Sequence, residues 1–147
     1  MGGARARWDA KYKAGYGSDA PDLWVVEQLT GLGPPASLLD IAGGRGRHAV
    51  WAAQRGFDTT LLDVSPVALR HAVELKDTIR TIEHDLEATE ELTIGGCWDI
   101  ALVCNFLHRP TLRTLHRVVA PGGTVLFVHP MVDDNYMSHR RQLVFPI

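Results

Sequence analysis

The fold is decided by the stretch Leu38-Leu39-Asp40-Ile41-Ala42-Gly43-Gly44-Arg45-Gly46-Arg47-His48-Ala49, followed one helix length later by Thr60-Leu61-Leu62-Asp63-Val64-Ser65. This order predicts a buried strand ending near Asp40, a glycine turn, a helix, and a second buried strand ending at Asp63. Glycines let the backbone turn tightly and lie close to a ligand. An acid about 20 residues after such glycines can accept hydrogen bonds from ribose hydroxyls. The stretch therefore predicts a site for a nucleoside-containing cofactor.

Length and composition predict an ordinary globular protein with a single domain. The 147 residues are 46% hydrophobic and 22% charged, with a formal net charge of -2. A chain of this length has no room for a separate substrate domain. We expect one domain over residues 1–147, with N-terminal cap helices in 1–35, a cofactor-binding core in 36–130 and a short tail in 131–147. We expect no nucleic-acid partner.

Three features of the sequence predict a cytoplasmic protein. No apolar run approaches the ~20 residues that span a bilayer, so we expect no membrane partner. The N-terminus lacks the apolar core of a secretory signal. Cys97 and Cys104 lack the spacing of a zinc site or a disulfide framework, which predicts two free thiols in a reducing compartment.

Hydrophobic periodicity predicts that strands and helices alternate along the chain. The predicted strands cover residues 37–41, 59–64, 80–84, 99–105 and 124–129. The predicted helices between and around them cover residues 22–31, 47–55, 66–76 and 111–120. Such alternation is typical of an α/β, doubly wound, mostly parallel sheet of about five strands with helices on both faces.

Polar side chains follow several of the predicted strands at the same edge of this sheet. Asp40, Asp63, Asp85 and Asn105 stand at or just after the carboxyl ends of four strands. Ligands of open α/β sheets bind at that edge. We therefore expect these four residues to surround the cofactor.

The glycine turn by itself leaves two kinds of cofactor open. Gly44 to Ala49 satisfies the dinucleotide pattern G-x-G-x-x-A, so an NAD-dependent oxidoreductase is one alternative. Asp40 stands four residues before Gly44, where a carboxylate disfavours a pyrophosphate and favours a positively charged ligand. This acid favours a cationic cofactor over a dinucleotide.

The residues from Leu39 to Arg47 resemble motif I of class I S-adenosylmethionine-dependent methyltransferases. The resemblance extends from about Trp8 to Pro130, most of the chain. It also rests on four later segments, Asp63-Val64-Ser65-Pro66, His84-Asp85-Leu86, Trp98 to His108, and Ala120-Pro121-Gly122-Gly123-Thr124-Val125-Leu126. The resemblance implies a Rossmann-like fold, S-adenosyl-L-methionine as cofactor and S-adenosyl-L-homocysteine as product.

The resemblance also implies which residues contact the cofactor. Gly44 and Gly46 pass under its methionine and ribose portions, Asp63 receives the ribose hydroxyls, and Asp85 with the Leu86 backbone reads adenine. The implied cofactor-binding residues of the core are Asp40, Ala42, Gly43, Gly44, Gly46, Arg47, Asp63, Val64, Asp85, Leu86 and Asn105.

The leader Trp8-Asp9-Ala10-Lys11-Tyr12 is most similar to the small-molecule branch that includes tellurite-resistance and thiopurine-type methyltransferases. In that branch the N-terminal helix covers the cofactor, which adds Trp8 and Tyr12 to the implied binding residues. The alternative for these two rings is plain packing, because aromatic stripes usually bury area.

Two departures from the family pattern stand out. Ala42 replaces the glycine most common at the first motif position, so we expect a slightly different backbone path there. Residues 131–147 are too few for the helix and two strands that normally end the sheet, so strands six and seven are expected to be missing or minimal. An exposed edge on the fifth strand would favour a homodimer.

Methyl transfer from a sulfonium is an in-line displacement, so the protein mainly has to align a nucleophile and exclude water. Asn105, His108 and Arg109 follow the fourth strand and are the predicted catalytic residues for a small-molecule methyl acceptor. His108 could act as a base, although a bond to its own loop is the alternative, and Arg109 could hold an anionic substrate. The seven histidines lack metal-site spacing, so we predict no metal. A cofactor-binding but inactive or partner-dependent module is the alternative function.

Overall fold

The structure, a computed structural model, describes residues 3–88, 90–132 and 138–146, with side chains described through residue 129. The strands are β1 (Ser37–Ile41), β2 (Asp58–Asp63), β3 (Arg80–Glu83), β4 (Trp98–Cys104), β5 (Val119–Val132) and β6 (Ser138–Pro146). The α-helices are α1 (Gly3–Lys13), α2 (Leu23–Leu32), α3 (Arg47–Gln54), α4 (Pro66–Leu75) and α5 (Arg109–Thr114). Short 3-10 helices cover Leu86–Ala88 and Leu115–Arg117.

The strands form one sheet in the order β3-β2-β1-β4-β5-β6. The first five strands in that order are parallel, and β6 pairs antiparallel with the outer edge of β5. The strand order reverses between β1 and β4, which is the point where doubly wound sheets bind ligands. The predicted α/β fold with five parallel strands is confirmed.

The core lies on both faces of the sheet because successive strand side chains point to opposite sides. On one face, Leu38, Leu102 and Leu126 pack with Val25 and Leu29 of α2. The opposite face carries a second cluster that includes Leu39, Ile41, Val103, Leu115 and Val118. Parallel strands buried on both faces explain the continuous apolar runs in the sequence. Helix α2, which was grouped with the cap helices, therefore packs onto the sheet.

Side-chain caps explain where α2 and α4 begin. The Asp22 carboxylate accepts hydrogen bonds from the backbone N–H groups of Trp24 and Val25, at 3.0 and 3.2 Å. Ser65 Oγ accepts one from the Ala68 N–H, at 3.2 Å, and proline follows it at the first helical position. Both caps satisfy N–H groups that lack partners inside a helix. None of the helices in the described ranges has the length and apolarity to cross a membrane.

The outer edge of β5 differs from the prediction. The tail was expected to leave this edge exposed, but β6 pairs with β5 from Thr124 opposite Pro146 to Val132 opposite Ser138. An antiparallel neighbour needs only a tight connection, whereas a parallel one needs a crossover of a dozen or more residues. Seventeen residues therefore suffice for one edge strand, and the exposed edge proposed for a homodimer is occupied within the chain. Residues 133–137 and 147 of the predicted tail lie outside the described residues.

The helix after β4 is shorter than the predicted 111–120. It begins at Arg109, with Pro110 in its first turn, and gives way to the 3-10 helix Leu115–Arg117. The next residues leave the helix because they pair with β4: Trp98 donates its N–H to the Val118 carbonyl at 2.8 Å, and Val119 lies opposite Trp98. Tertiary pairing of two β-branched residues thus overrides helical periodicity.

Asp40 lies buried in β1 on the face that α3 covers. Its side chain is fully buried, and neither carboxyl oxygen forms a hydrogen bond of normal geometry with the described residues. Burial, reinforced by the nearby charge of Asp63, raises the pKa of Asp40 to about 7, while Arg47 and the Ala49 backbone N–H act in the opposite direction. The folded protein therefore holds a proton on Asp40 that the unfolded chain releases at a lower pH.

The raised pKa of Asp40 predicts a pH-dependent stability. Between pH 4 and 7 the unfolded chain loses this proton first, so the contribution of Asp40 to the free energy of unfolding should fall as the pH rises. Asp40→Asn should remove that dependence and stabilise the protein at pH 8 by at most about 4 kcal/mol, with little effect at pH 4. Urea unfolding at both pH values measures this. Asp58→Asn, on an exposed side chain, is the matched control, and equal shifts in both variants would contradict the prediction.

Ala42 turns the chain out of β1 with a backbone conformation that suits glycine. Its φ is 52°, and Gly44 and Gly46 that follow have φ values of 61° and 83°. The left-handed region costs a residue with a Cβ about 1–2 kcal/mol. The turn thus keeps a glycine-like path at the position where the sequence carries alanine.

Replacing Ala42 with glycine should relieve this cost. We expect Ala42→Gly to raise the free energy of unfolding by about 1 kcal/mol, after allowance for the greater freedom of glycine in the unfolded chain. Ala10→Gly, inside α1, removes the same atoms from an unstrained helical position and should lower it. Guanidinium unfolding of the three proteins tests the difference, and a destabilised Ala42→Gly variant would refute it.

Candidate functional site

A cleft runs along the carboxyl edge of the sheet beneath α1, and it has two halves. The halves share Trp8, Tyr12, Ala42 and Asn105 in their linings. We call one part the acidic half. Besides the four shared residues, it is lined by Ala4, Leu62, Asp63, Val64, His84, Asp85, Leu86, Glu87 and Phe106. We call the other part the basic half. Besides the four shared residues, it is lined by Tyr16, Gly17, Ser18, Gly43, Gly44, Arg45, Arg47 and Cys104.

Asp63 is held rigidly at the end of β2. Its Oδ2 accepts a hydrogen bond from the Gly44 N–H at 2.9 Å, and its Oδ1 accepts one from the Ser65 N–H at 3.0 Å. Burial raises the pKa of Asp63, and hydrogen bonds from Ser65 and Gly44 limit that rise. Each carboxylate oxygen keeps a second lone pair. Asp63 can therefore accept further hydrogen bonds from a ligand diol in the acidic half.

The glycine turn brings backbone close to the cleft on one side and to buried groups on the other. A Cβ on Gly44 would lie 2.8 Å from the Tyr12 hydroxyl, and one on Gly43 would lie 2.5 Å from the Asp40 carboxyl carbon. Gly46 instead faces α4, where a Cβ would lie 2.8 Å from the Ala72 methyl group. Gly43 and Gly44 thus line the cleft, whereas Gly46 and the buried Asp40 lie outside its described lining and shape the turn from behind.

Asp85 follows β3 and closes the far end of the acidic half. Its Oδ1 accepts a hydrogen bond from the Glu87 N–H at 3.0 Å, which fixes the carboxylate in a short turn. The buried Leu86 and the Phe106 ring provide apolar surface beside it. The buried His84 Nε2 has no hydrogen-bond partner among the described residues. The acidic half therefore combines apolar walls with polar groups that can bind a planar, polar ring.

Helix α1 covers the cleft with aromatic side chains. The Trp8 and Tyr12 rings stack with centroids 5.7 Å apart, and Tyr16 packs against both at 5.9 and 6.1 Å. Burial, with the Asp63 charge nearby, raises the pKa of Tyr12, so its hydroxyl is protonated at neutral pH. The three rings therefore pack on one another, as one interpretation of this stripe predicts, and Trp8, Tyr12 and Tyr16 also line the cleft.

Polar contacts attach α1 to the rest of the domain. The Ser65 hydroxyl donates a hydrogen bond to Asp9, and Arg5 lies 3.8 Å from Asp9 and 3.9 Å from Glu83. No residue of α1 is fully buried. The hydroxyl that caps α4 thus also contacts α1. Local sequence patterns do not predict this contact, because Asp9 and Ser65 are 56 positions apart.

Of the three predicted catalytic residues, the structure brings one into the cleft. Asn105 follows β4 with a φ of 58°, lines both halves, and donates its N–H to the Val128 carbonyl at 2.7 Å. His108 directly precedes α5, and its Nδ1 lies 2.8 Å from Thr111 Oγ1. Neither His108 nor the exposed Arg109 is among the described residues of the cleft lining. The contact of His108 within its own turn matches the alternative considered for it.

Two arginines lie in the basic half, and only one was anticipated from sequence. Arg45 Nε lies 3.4 Å from the Asp19 carboxylate, and Arg45 Nη2 lies 2.9 Å from His71 Nε2. Arg47 donates longer hydrogen bonds to the Ala20 carbonyl and to Cys104 Sγ, at 3.4 and 3.6 Å. Cys104 and His84 were also missed, although each directly precedes a predicted site residue. Across the described side chains, no group of three or more potential metal ligands is assembled.

Comparison with known proteins shows which protein family this chain is similar to. A family model described as a methyltransferase domain matches residues 38–123, which is more than half of the chain. The chain is 35% identical over 97 residues to malonyl-[acyl-carrier protein] O-methyltransferase of Pseudescherichia vulneris, covering 63% of this chain and 38% of that protein. It is 30% identical over 111 residues to 23S rRNA (guanine(748)-N(1))-methyltransferase of Streptomyces fradiae, covering 74% and 39%. The chain thus spans about two fifths of the length of these relatives.

The fold is similar to that of a TehB-like SAM-dependent methyltransferase from Corynebacterium glutamicum. The TM-score is 0.63 and the identity 21%, over 85% of this chain and 70% of that one. The family match begins at β1 and includes the glycine turn, Asp63, Asp85 and Asn105. By this match, the chain belongs to the family of methyltransferase domains.

Proposed function

We propose that this chain binds S-adenosylmethionine in the cleft and transfers its methyl group to a small-molecule nucleophile, releasing S-adenosylhomocysteine. The observation that carries the proposal is the Asp63 carboxylate, which Gly44 and Ser65 hold at the cleft with acceptor capacity to spare. A vicinal diol suits such a carboxylate, because two hydroxyls can donate hydrogen bonds to its two oxygens.

The acidic half fits the nucleoside part of this cofactor. Asp63 would accept hydrogen bonds from the ribose hydroxyls, and Asp85 would accept one from the adenine amino group. The Leu86 backbone N–H would complete the recognition of the base, with Leu86 and Phe106 as apolar walls.

The basic half fits the methionine part, because Gly43 and Gly44 line it with backbone that carries no side chains. A sulfonium methyl is already activated for displacement, so the cofactor would supply the chemistry when bound. The chain would align the acceptor and keep water out. Trp8 and Tyr12 line both halves, and so does Asn105. We therefore propose that Asn105 positions the methyl acceptor. For His108 we propose a structural role in the turn just before α5.

Membership of the family does not by itself indicate which class of acceptor this chain methylates. One relative is named for a protein-bound malonyl group and the other for ribosomal RNA, so the family accommodates different acceptors. A small acceptor is favoured here because the cleft lies beneath α1. The net charge of -2 does not favour RNA. Cys97 and Cys104 form no disulfide bond within the described part of the chain, which favours a cytoplasmic location.

A second candidate is a cofactor-binding module that acts only with further sequence or a partner. The chain spans about two fifths of the two relatives, and the acceptor site of a methyltransferase can lie on segments outside its cofactor-binding core. Under this candidate function the same residues bind the cofactor, but the chain alone does not catalyse methyl transfer.

Calorimetric titration tests the cofactor. We expect binding of S-adenosylmethionine and S-adenosylhomocysteine and no binding of NAD. Asp63→Asn should weaken both interactions about 10- to 100-fold, because hydrogen bonds to a charged group contribute about 1.5–3 kcal/mol. Asp58→Asn, at the opposite end of β2, should leave them unchanged. Tight binding of NAD alone would overturn the proposal.

Transfer of a radiolabelled methyl group tests the reaction. With a panel of small thiols and amines, we expect labelled product from the wild-type chain and at least a tenfold loss in kcat/KM for Asn105→Ala, with cofactor affinity changed much less. Asn105→Gly, which accepts the left-handed backbone, controls for strain. Binding without transfer to any acceptor would favour the second candidate instead.

A further inference from the structure

The segment between α1 and α2 (residues 14–22), which we call the linking segment, lies against the basic half of the cleft. Three of its residues, Tyr16, Gly17 and Ser18, line that half. Residues 17–20 are exposed, and none of them forms a backbone-to-backbone hydrogen bond with another element among the described residues. Exposed backbone with few hydrogen bonds belongs to the part of a fold that opens at low cost. The linking segment therefore depends on side-chain contacts to stay in place.

Asp19 attaches the middle of the linking segment to two other parts of the fold. Its carboxylate lies 3.4 Å from Arg45 Nε in the glycine turn and 3.0 Å from His71 Nε2 on α4. Arg45 Nη2 lies 2.9 Å from the same His71 nitrogen. Arg47 adds a 3.4 Å hydrogen bond to the neighbouring Ala20 carbonyl, which carries no charge. Asp19, Arg45 and His71 thus contact one another in a closed triangle, which we call the clasp.

His71 Nε2 cannot serve both of its neighbours at once. Arginine only donates hydrogen bonds and a carboxylate only accepts them, whereas an imidazole nitrogen carries either a lone pair or a hydrogen. With a lone pair, Nε2 accepts from Arg45 and repels the Asp19 oxygen. With a hydrogen, Nε2 donates to Asp19 and repels Arg45. A protonated imidazole has hydrogen on both nitrogens, so it takes only the second arrangement, and its charge strengthens the bond to Asp19.

We propose that the clasp is a proton-sensitive switch, in which protonation of His71 draws Asp19 and the linking segment onto α4 and slows the passage of a ligand into and out of the basic half. Histidine is the side-chain type that gains a proton as the pH falls from about 8 to about 5. The role for a ligand rests on the proposed function, whereas the clasp itself depends only on contacts within this chain.

The other charged and titratable groups beside His71 line a groove that Arg45 shares with Tyr12 of α1 and with Arg70 and Glu74 of α4. Burial raises the pKa of Tyr12, so its hydroxyl does not change charge in this pH range. Arg70 and Glu74 are exposed and of opposite sign, and water screens both. Among the groups in contact with His71 Nε2 in the described structure, the Asp19 carboxylate is therefore the acceptor for its hydrogen.

Two substitutions at the same position separate the switch from a purely structural contact. His71→Gln supplies a donor and an acceptor at once, so it should hold both Asp19 and Arg45 and remove the response to pH. His71→Ala removes both contacts at every pH. His116→Ala is the matched control, because His116 is exposed and contacts its own turn.

Hydrogen exchange of the ligand-free chain, measured by mass spectrometry on a peptide covering residues 14–22, tests the clasp itself. At about pH 5.5 the segment should exchange about two- to fivefold more slowly in wild type than in His71→Ala, as for a partly exposed ion pair. At about pH 8 the two rates should be nearly equal. His71→Gln should exchange more slowly than His71→Ala at both pH values, and His116→Ala should match wild type.

Two results of the exchange experiment would overturn the inference. One is a difference between wild type and His71→Ala that is absent, or equally large, at both pH values. The other is faster exchange of His71→Ala throughout β2 and α3 as well, because that indicates a destabilised domain and not a released segment.

Rapid mixing measures the consequence for a ligand. S-adenosylhomocysteine should leave wild type about two- to fivefold more slowly than His71→Ala at about pH 5.5 and at nearly the same rate at about pH 8. Comparing the two proteins at each pH cancels the titration of other groups in the cleft. Equal release rates at both pH values would overturn the gating role. If wild type binds no S-adenosylhomocysteine, the proposed function is refuted, whereas the exchange experiment still decides the clasp.

Discussion

The rest of the site depends on one carboxylate, that of Asp63. Its two oxygens accept backbone hydrogen bonds from Gly44, in the turn after β1, and from Ser65, at the start of α4. Ser65 also caps α4 and donates its hydroxyl hydrogen to Asp9 of α1. The glycine turn, a helix start and the covering helix are thus all connected through Asp63. Backbone N–H donors make a largely buried carboxylate tolerable where water is excluded.

Asp40 and Asp63 lie on neighbouring strands and illustrate how environment separates two like groups. Burial raises the pKa of both, but Asp63 has backbone donors on each oxygen, while Asp40 forms no hydrogen bond of normal geometry with the described residues. Asp63 therefore presents acceptors to the cleft, and Asp40 supports the turn from beneath with its carboxyl group against Gly43. The acid before the glycine turn was predicted to attract a cationic ligand, and its position assigns it first to the folding of that turn.

Local patterns were enough to predict most of the fold and much of the site. Apolar runs placed all five parallel strands, and Ser65-Pro66 placed the start of α4, because burial and capping leave their mark in adjacent residues. Asp63, Asp85 and Asn105 were located because residues at the ends of parallel strands must share one edge. The prediction was wrong for the outer edge of β5, because pairing with β6 leaves no comparable local signal.

By itself, the sequence determined the succession of strands along the chain, the position of the glycine turn and the acids at the strand ends. Each of these depends on neighbours within a few residues. Tertiary structure alone decided which side chains reach the cleft. It placed Gly46 against α4 and kept His108 in its own turn. It also neutralised Arg45 through Asp19, 26 positions away, and set Arg47 beside Cys104, 57 positions away. Those outcomes depend on contacts between distant segments, whose geometry is set only when the sheet assembles and the helices pack on it.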